Sequence, residues 1–386
     1  MKVQLLNKIA AVGTDQLDKA VYTIGADVTE PDAIMVRSAA MHDMSFDKNL
    51  KAIARAGAGV NNIPIDRCTS EGIVVFNTPG ANANGVKELA ICALLLASRD
   101  IVGGIEWAKS LEGTSEVAKA VEAGKSKFAG QEIKDKTLGV IGLGAIGGMV
   151  AGIATHLGMR VVGCDPYISI AGAWNLNHHV SHANTYDDIY RDCDYITLHV
   201  PATPDTKKMI NAESIAKMKD GVRIINLSRA DLVDAEAVKA GLESGKIAAY
   251  VTDFPTEDIL GVKGVVAIPH LGASTEESED NCAVMAAQEL DSYLRYGNIK
   301  NSVNFPNVDM PFSSAVRLCL LHANVPSILS QITSILSEEG INIENLTNKS
   351  KGNNAYTMVD VPAEPKPESL AKLEAITDIF RVRVIK

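Results

Sequence analysis

Three ionisable side chains each follow a predicted buried strand in the second half of the chain. Arg229 ends the segment I-I-N-L-S-R, Glu257 ends D-F-P-T-E, and His270 ends I-P-H. Reduction of a 2-keto acid by hydride needs a proton donor for the carbonyl oxygen and a cation for the carboxylate. Histidine suits the first role because its unperturbed pKa lies near the operating pH, and arginine suits the second as a planar fork. Glu257 could then hold the imidazolium in place. Taken singly, the three have ordinary alternatives: a surface ion pair, a loop acid in solvent and a core histidine.

The elements that could position these side chains begin at a glycine-rich turn. Residues 137–148 read T-L-G-V-I-G-L-G-A-I-G-G, which predicts a short strand, a G-x-G-x-x-G turn and a helix. Gly142 allows the tight turn, Gly144 lets the backbone approach a pyrophosphate, and Gly147 lets the helix lie against the strand. The phosphates would bind at the helix N-terminus, where free N–H groups favour negative charge.

An aspartate completes this predicted dinucleotide-binding unit. Residues 159–165 read M-R-V-V-G-C-D, a second strand that ends in Asp165. This acid lies about 20 residues past the glycines, where the ribose 2′-hydroxyl is expected. A carboxylate accepts that hydroxyl and repels a 2′-phosphate, so the sequence predicts NAD rather than NADP. Downstream of such a unit, the arginine, the acid and the histidine together predict an oxidoreductase active site.

Apolar runs alternate with helical segments along the first 300 residues. Strands are predicted at 33–36, 50–54, 73–76 and 222–226. The alternation predicts an α/β fold with two doubly wound, Rossmann-like parallel sheets, in which residues that follow the strands gather at the carboxyl edge beside the cofactor. Long helices at 83–109 and 275–296 would cross between the two lobes. The predicted division is a substrate domain at 1–95 completed by 283–300, an NAD-binding domain at 96–282, a linker at 301–311 and a separate small domain at 312–386.

The pattern changes in the small domain. Strands are predicted at 315–321, 341–346, 356–361 and 380–385, and helices at 326–339 and 368–378. This order is a βαββαβ unit, a small α+β fold. Because such a sheet has an edge without a helix, two copies could pair there, which predicts a homodimer or homotetramer.

The composition excludes several classes of partner. The chain has 386 residues and a formal net charge of −10, which argues against nucleic-acid or anionic-membrane partners. No apolar run is long enough for a membrane span and the first residues do not resemble a signal peptide, so a cytoplasmic protein is expected. The six cysteines are scattered and suit reduced thiols. His178, His179 and His182 lie in a polar stretch without a partner cysteine, so no metal site is predicted.

The quoted motifs resemble those of the D-2-hydroxyacid dehydrogenase family. The resemblance covers residues 1 to about 305 and rests on R-A-G-A-G-V-N-N-I, V-F-N-T-P-G-A-N, G-V-I-G-L-G-A-I-G, H-V-P-A-T-P-D-T, I-I-N-L-S-R and P-H-L-G-A-S-T. It implies an NAD-dependent dehydrogenase in which Arg229, Glu257 and His270 are the catalytic arginine, acid and histidine. It also implies substrate-carboxylate contacts from the backbone amides of Ala58 and Gly59. Besides the glycines and Asp165, the implied cofactor contacts are Ala145, Ile146, Pro201, Thr206, Leu227, Ser228, Asp253 and Gly272.

Within the family, the chain is most similar to members whose substrate carries a phosphate. A phosphate needs cations, and Arg37 and Arg55 are the matching positions, with Ser38 assigned to the same site; ordinary surface arginines are the alternative. Residues 322–329 and 339–343, H-A-N-V-P-S-I-L and E-G-I-N-I, are similar to the ACT domain, in which paired domains bind an amino-acid effector. That similarity implies that Asn324 and Asn342 hold the effector, for which serine is expected. Turn and cap residues are the alternative for both asparagines.

The chain departs from the family pattern at three points. Ala230 follows the catalytic arginine, where a glycine is usual. Thr252 occupies the position of the family's acid, while Asp253 lies directly before Phe254, and this shift leaves the role of Asp253 at the nicotinamide open. Pro326-Ser327 replaces the common Pro-Gly turn of the ACT segment.

Two classes of function remain open at the level of sequence. The first is a dehydrogenase of a phosphorylated 2-hydroxy acid, or of another one such as glycerate or lactate. The second is a non-catalytic, NAD-sensing regulator on the same scaffold. The intact Arg229, Glu257 and His270 set favours the enzyme, because a sensor does not need a proton donor beside the nicotinamide.

Overall fold

The structure is a computed structural model that describes residues 1–312 and 314–386. The chain forms two compact units, Met1–Asn82 together with Glu276–Lys386, and Ala83–Thr275. No helix in the described ranges is long and apolar enough to cross a lipid bilayer.

The regular elements follow one another in a largely alternating order. The strands are β1 (Lys2–Leu5), β2 (Thr23–Gly25), β3 (Ala33–Val36), β4 (Ala52–Arg55), β5 (Val74–Asn77), β6 (Thr137–Ile141), β7 (Arg160–Cys164), β8 (Val180–His182), β9 (Tyr195–Leu198), β10 (Val222–Asn226), β11 (Ile247–Thr252), β12 (Val265–Ala267), β13 (Val316–Ala323), β14 (Asn345–Lys351), β15 (Asn354–Val361) and β16 (Ile379–Ile385). The α-helices are α1 (Ala11–Thr14), α2 (Ile65–Ser70), α3 (Ala83–Ser98), α4 (Ile101–Lys109), α5 (Val117–Gly124), α6 (Ala145–His156), α7 (Ile170–Trp174), α8 (Tyr186–Asp192), α9 (Ala212–Lys217), α10 (Ala235–Glu243), α11 (Glu276–Tyr296), α12 (Ile328–Glu338) and α13 (Pro367–Glu374).

The first unit contains a five-stranded parallel sheet in the order β2-β1-β3-β4-β5. Its central strand reads A-I-M-V and is buried along its whole length. Because side chains alternate along a strand, Met35 packs into one core with α11, while Ile34 packs into a second core with Cys68 of α2. Burial on both faces explains why this strand is uniformly apolar.

The second unit is a seven-stranded parallel sheet in the order β12-β11-β10-β9-β6-β7-β8. The strand order reverses between β6 and β9, and ligands of such sheets bind at that point, outside the carboxyl ends of the strands. Helices α3 and α6 pack into the core on one face, and α8, α9 and α10 into the core on the other. These two parallel sheets confirm the predicted α/β fold.

The predicted helix at 83–109 is two helices, because Asp100 starts a new one. The side chain of Asp100 accepts a hydrogen bond from the backbone N–H of Gly103 at 2.9 Å and caps α4. The helix predicted at 275–296 is α11.

The C-terminal segment is a four-stranded antiparallel sheet in the order β14-β15-β13-β16, with α12 and α13, as the predicted βαββαβ order requires. The second strand is displaced from the predicted 341–346 to Asn345–Lys351. It reads N-L-T-N-K-S-K and is largely exposed at the sheet edge, so it carries no apolar alternation that a sequence pattern could detect.

This sheet belongs to the first unit and shares a core with the N-terminal sheet, contrary to the separate domain that we expected. Strand β13 reads V-R-L-C-L-L-H-A and is buried on both faces. Leu318 and Leu320 face a core formed with α12 and α13, whereas Cys319 and Leu321 pack into the same core as Val3. A strand with two apolar faces can contribute to two cores. The prolines at 306 and 311 led us to expect a linker between separate domains, and they carry no signal for this shared core.

The two compact units divide the chain at 82/83 and 275/276, rather than at the predicted 95/96 and 282/283. The reason is that α3 contributes Val86, Ala90 and Leu94 to the core of the second unit, while α11 packs with the first from its buried Cys282 and Ala283 onward. Each predicted boundary lies inside a continuous helix.

A fully buried ion pair joins the C-terminal sheet to the segment before it. Arg317 and Asp360 have no exposed side-chain surface, and the Arg317 Nε donates to the Asp360 Oδ1 at 2.6 Å. The Arg317 Nη2 also donates to the Asp360 Oδ2 at 2.9 Å, and the other guanidinium N–H groups donate to the backbone oxygens of Tyr296, Met310 and Pro311, each at 2.8 Å. All the charge of this buried arginine is therefore compensated.

Candidate active site

The glycine-rich turn has the geometry that a bound dinucleotide needs. Gly142 has φ +90°, a backbone conformation that residues with a side chain rarely adopt. A Cβ on Gly147 would lie 1.9 Å from the oxygen of Gly142, whereas a Cβ on Gly144 would meet no atom within 4 Å. Gly142 and Gly147 are therefore required by the protein itself, and Gly144 opens space at the N-terminus of α6, where Ala145 and Ile146 begin the helix.

Asp165 follows β7 and already organises this turn. Its Oδ2 accepts the N–H of Leu143 and its Oδ1 accepts the N–H of Tyr167, both at 2.9 Å. A pocket of about 660 Å³ lies beside it. The pocket is lined by Leu143, Gly144, Ala145, Gly148, Met149, Gly152, Asp165, Tyr167, Ile168, Ser169, Gly172, Asn175, Leu176 and Asn177. These residues fit the adenosine half of a dinucleotide.

Replacement of Asp165 with alanine should weaken NADH binding and lower the discrimination against NADPH by about tenfold or more, since one charge-assisted contact and one like-charge barrier are lost. Dissociation constants of both cofactors, measured by fluorescence titration, test this. Asp165→Asn keeps the size of the side chain while removing its charge, and Asp187→Ala is the control at an exposed acid outside the pocket. If Asp165→Ala still rejects NADPH as strongly as the parent, Asp165 is not the selector.

The remaining predicted residues of this unit follow the carboxyl ends of neighbouring parallel strands. Pro201 and Thr206 come after β9, Leu227 to Arg229 after β10, Asp253 to Glu257 after β11, and His270 and Gly272 after β12. Their loops are held locally. The Thr206 hydroxyl donates to the oxygen of Pro201 at 2.6 Å, and the Ser228 hydroxyl donates to that of Leu198 at 2.7 Å.

Phe254 joins the predicted catalytic arginine and histidine. The guanidinium carbon of Arg229 lies 5.5 Å from the centroid of the Phe254 ring, and the rings of Phe254 and His270 are 4.4 Å apart. The side chains of Arg229 and His270 are both exposed, as a site that admits a substrate requires. Arg229 has an extended backbone with φ −154°, and Ala230 starts a short 3₁₀ helix, so this turn does not need the usual glycine.

The acid beside Arg229 and His270 is Asp253 rather than Glu257. No hydrogen bond or ion pair links Glu257 to His270 in the described part of the chain, and Glu257 is exposed. Asp253 is only 1% exposed, and its Oδ2 accepts the N–H of Gly272 at 3.3 Å. Its Oδ1 is buried without a partner among the described residues. Burial raises the pKa of Asp253, and the nearby charges of His270 and Arg229 oppose that rise.

The shifted register has a structural explanation. Thr252 is the last residue of β11 and is fully buried. Its hydroxyl oxygen accepts the N–H of Phe254 at 3.0 Å and so fixes the turn. Consecutive residues point in opposite directions, so Asp253 and not Thr252 faces the loop of Gly272.

Sequence reasoning missed one partly buried histidine next to the glycine turn. His199 follows β9, and its Nε2 lies 3.0 Å from the hydroxyl of Thr197, while its Nδ1 has no partner among the described residues. Burial lowers the pKa of His199 to about 4, so the ring is neutral. The only available signal was its place in H-V-P-A-T-P, at the end of a strand.

The predicted substrate residues of the first unit also gather at a carboxyl edge. Arg37 and Ser38 follow β3, while Arg55 ends β4 and precedes Ala58 and Gly59. The Arg55 Nε donates to the oxygen of Arg37 at 3.1 Å. The Arg37 guanidinium pairs with the half-exposed Glu279 at 2.5 Å.

Two asparagines that the sequence did not single out hold these loops. The Asn7 Oδ1 accepts the N–H groups of Arg37 and Ser38 at 3.1 and 3.0 Å. The Asn77 Nδ2 donates to the oxygen of Ala58 at 2.6 Å. Asn7 follows β1 and Asn77 ends β5, positions at which sequence patterns do not separate such an asparagine from an ordinary turn residue.

The two predicted effector residues are exposed. The Asn324 Nδ2 donates to the oxygen of Gly352 at 3.1 Å, so it holds the turn between β14 and β15. Ser327 has φ +71°, which is the conformation a glycine would supply in the usual Pro-Gly turn. No group of three or more possible metal ligands occurs in residues 1–312 and 314–386, and the rings of His178 and His179 are simply 4.0 Å apart.

Comparison with known proteins gives the family. Residues 94–272 match the model of the NAD-binding domain of D-isomer specific 2-hydroxyacid dehydrogenases. The chain is 33% identical over 340 residues to D-3-phosphoglycerate dehydrogenase 1 of Saccharomyces cerevisiae, an alignment that covers 81% of this chain and 68% of the relative. The chain belongs to the D-2-hydroxyacid dehydrogenase family. The matched model describes an NAD-binding domain, which agrees with the cofactor predicted from the glycine turn and Asp165.

Other members of the D-2-hydroxyacid dehydrogenase family agree. D-3-phosphoglycerate dehydrogenase of Synechocystis sp. (strain ATCC 27184 / PCC 6803 / Kazusa) is 37% identical over 290 residues, which cover 73% of this chain and 50% of the relative. The chain thus spans about half the length of this relative. The crystal structure of an NAD⁺-bound 3-phosphoglycerate dehydrogenase of Entamoeba histolytica matches with a TM-score of 0.62 and 28% identity, and covers 79% of this chain and 98% of that one.

Proposed function

We propose that the protein oxidises D-3-phosphoglycerate to 3-phosphohydroxypyruvate with NAD, the reaction that opens serine synthesis. The observation that carries the proposal is the placement of Arg229, Phe254 and His270 at one sheet edge that also carries the glycine turn and Asp165. The names of the curated relatives supply the substrate.

Each side chain then has one task. His270 accepts the proton of the substrate C2 hydroxyl during oxidation, and returns it to the carbonyl oxygen during reduction. Arg229 holds the substrate carboxylate and the C2 oxygen through its fork of N–H donors. The glycine turn and Asp165 would hold NAD, which when bound would supply the acceptor for the hydride of C2. Glu257 remains the proposed acid for the imidazolium, and the buried carboxyl of Asp253 lies close enough to contribute to the same charge balance.

Arg37 and Arg55 are proposed to bind the phosphate, since both are cations next to the loops that hold Ala58. Arg37→Gln should raise KM for phosphohydroxypyruvate about tenfold or more and leave KM for hydroxypyruvate within about twofold, because only the phosphate can use the lost charge-assisted pair. Steady-state NADH oxidation with both keto acids measures this difference.

Glu279→Gln is the companion variant, because Glu279 competes with the phosphate for the same guanidinium. It should leave KM for the phosphorylated keto acid unchanged or lower. Equal losses on both substrates in Arg37→Gln would reassign Arg37 to a structural role.

The proposed regulation rests on the C-terminal sheet. Its strand β14 pairs only with β15 among the described strands, so its outer edge is open to a second copy of the chain. Such pairing would give a homodimer or a homotetramer. In this proposal the sheet is an ACT domain, and Asn324 and Asn342 hold serine.

If serine is the effector, L-serine should inhibit turnover of the parent, and Asn342→Ala should shift the half-inhibitory concentration upward by about 5- to 150-fold, the usual range of coupling between sites. The titration is repeated with Gln331→Ala, at an exposed amide on α12, which packs against the same sheet, as control. Inhibition that is absent in the parent, or unchanged in Asn342→Ala, would defeat this effector site and leave the dehydrogenase proposal intact.

A cytoplasmic location also remains part of the proposal. It is supported by the thiols: all six cysteines are free, and five of them are buried. Reduced, unpaired cysteines are typical of reducing compartments.

A further inference from the structure

A basic pocket of about 640 Å³ lies entirely within the first unit. None of the residues assigned to catalysis or cofactor binding lines it. Three segments of chain form it: the end of β5 with Asn77, the connection around Asn301 and Ser302, and the end of β14 with Lys349 and Lys351. Among the described residues that line it, the two lysines alone are charged. The pocket thus brings the edge strand of the C-terminal sheet next to the N-terminal sheet.

The two lysines are available to an anion. They are two residues apart on a strand, so their stems leave the same face. No acidic side chain is paired with either lysine in the part of the chain that the structure describes. The Lys351 Nζ donates to the backbone oxygen of Ser302 at 2.8 Å. Burial lowers the pKa of Lys351, so its charge would gain from a negative partner.

Asn77, which also lines the pocket, is hydrogen-bonded to the predicted substrate loop. Asn77 donates through its Nδ2 to the oxygen of Ala58, and the N–H of Thr78 donates to the oxygen of Gly57 at 3.2 Å. The neighbouring Asn301 is held in a left-handed conformation with φ +58°, and its Nδ2 donates to the buried Glu289 at 2.7 Å. A ligand that draws Lys351 away from Ser302 would alter the contact between β14 and the connection that supports Asn77.

We propose that this pocket binds a small dianion through Lys349 and Lys351, and that its occupancy changes the affinity for the keto acid through Asn77 and the Ala58 loop. A phosphate group and a dicarboxylate share the required chemistry, two negative charges within reach of two ammonium groups. The binding part of the proposal is independent of the proposed function. The part that concerns the keto acid rests on it.

The test of binding is isothermal titration calorimetry on the full chain with inorganic phosphate, and separately with succinate. Lys349→Gln and Lys351→Gln should each lower the affinity about tenfold, as expected for one charge-assisted contact. Lys366→Gln, which alters an exposed lysine at the N-cap of α13 outside the pocket, is the matched control and should bind like the parent. Lys351→Gln removes the hydrogen bond to Ser302 and could therefore fold poorly. Lys349→Gln removes no such bond among the described residues, so it still tests the pocket in that case.

Phosphate could also bind at Arg37, so the titrations are repeated in an Arg37→Gln background. Binding that depends on the lysines in both backgrounds supports the pocket, and the tighter of phosphate and succinate identifies the ligand class. Affinities equal to the parent in Lys349→Gln and Lys351→Gln, for both anions, would overturn it.

Coupling is tested by KM for the keto acid with and without the tighter anion. A change of at least about fivefold in the parent that is lost in Lys349→Gln supports the route through Asn77. A KM that responds equally in both proteins would overturn that route. Lysine-dependent binding in a protein that reduces no keto acid would mean that the proposed function fails while the site stands.

Discussion

Replacement of His270 with alanine is expected to lower kcat by about 10²- to 10⁴-fold while NADH still binds, the range for loss of a general acid–base group. The reason is positional. His270 follows β12 at the carboxyl edge of the parallel sheet, and its ring lies 4.4 Å from that of Phe254, next to Arg229. Steady-state kinetics give kcat, and fluorescence titration gives the affinity for NADH.

His179→Ala is the matched control, because His179 is an exposed histidine of the same unit that lies in the segment before α8. It should retain the turnover of the parent. A His270→Ala protein with normal turnover would remove His270 from the mechanism. If the variant also lost NADH binding, His270 would have a structural role in the cofactor site rather than a role in proton transfer.

Replacement of Arg317 with leucine should lower the free energy of unfolding by about 3–5 kcal/mol, the usual cost of leaving one buried charge unpaired. The Asp360 carboxyl would stay fully buried without its partner, and the oxygens of Tyr296, Met310 and Pro311 would lose their donor. Urea unfolding followed by circular dichroism measures the change.

Two further variants separate the buried charge from the loss of packing. Arg317→Leu with Asp360→Leu should recover part of the lost stability, because no charge then remains buried. Lys19→Gln removes one side of an exposed ion pair with Asp15 and should change stability by less than about 1 kcal/mol. A single Arg317→Leu variant as stable as Lys19→Gln would contradict the role given to the buried pair.

Sequence patterns predicted those parts of the chain whose structure is determined by a few neighbouring residues. The glycine turn, Asp165 and the alternation of strands and helices each follow from a steric or periodic requirement that is visible in a few residues. The same is true of the carboxyl-edge placement of Arg229, Glu257 and His270, since it depends only on strand order in a parallel sheet.

The features that escaped prediction depend on contacts distant in sequence. Strand β13 reads as one apolar run, and nothing in it indicates that its two faces belong to different cores. Polar strand β14 has no periodic signal because it lies at an exposed edge. Asp253 is buried beside His270, and Arg37 pairs with Glu279. Each contact joins segments that are distant in sequence and share no motif.

The most direct test of the proposed function compares NADH oxidation by the parent protein with phosphohydroxypyruvate, hydroxypyruvate and pyruvate at matched concentrations. We expect kcat/KM for phosphohydroxypyruvate to exceed that for hydroxypyruvate by about tenfold or more, because a phosphate adds at least one charge-assisted pair. Equal kcat/KM for the phosphorylated and unphosphorylated acids would contradict the substrate assignment, and no turnover of any of the three would contradict the enzyme itself.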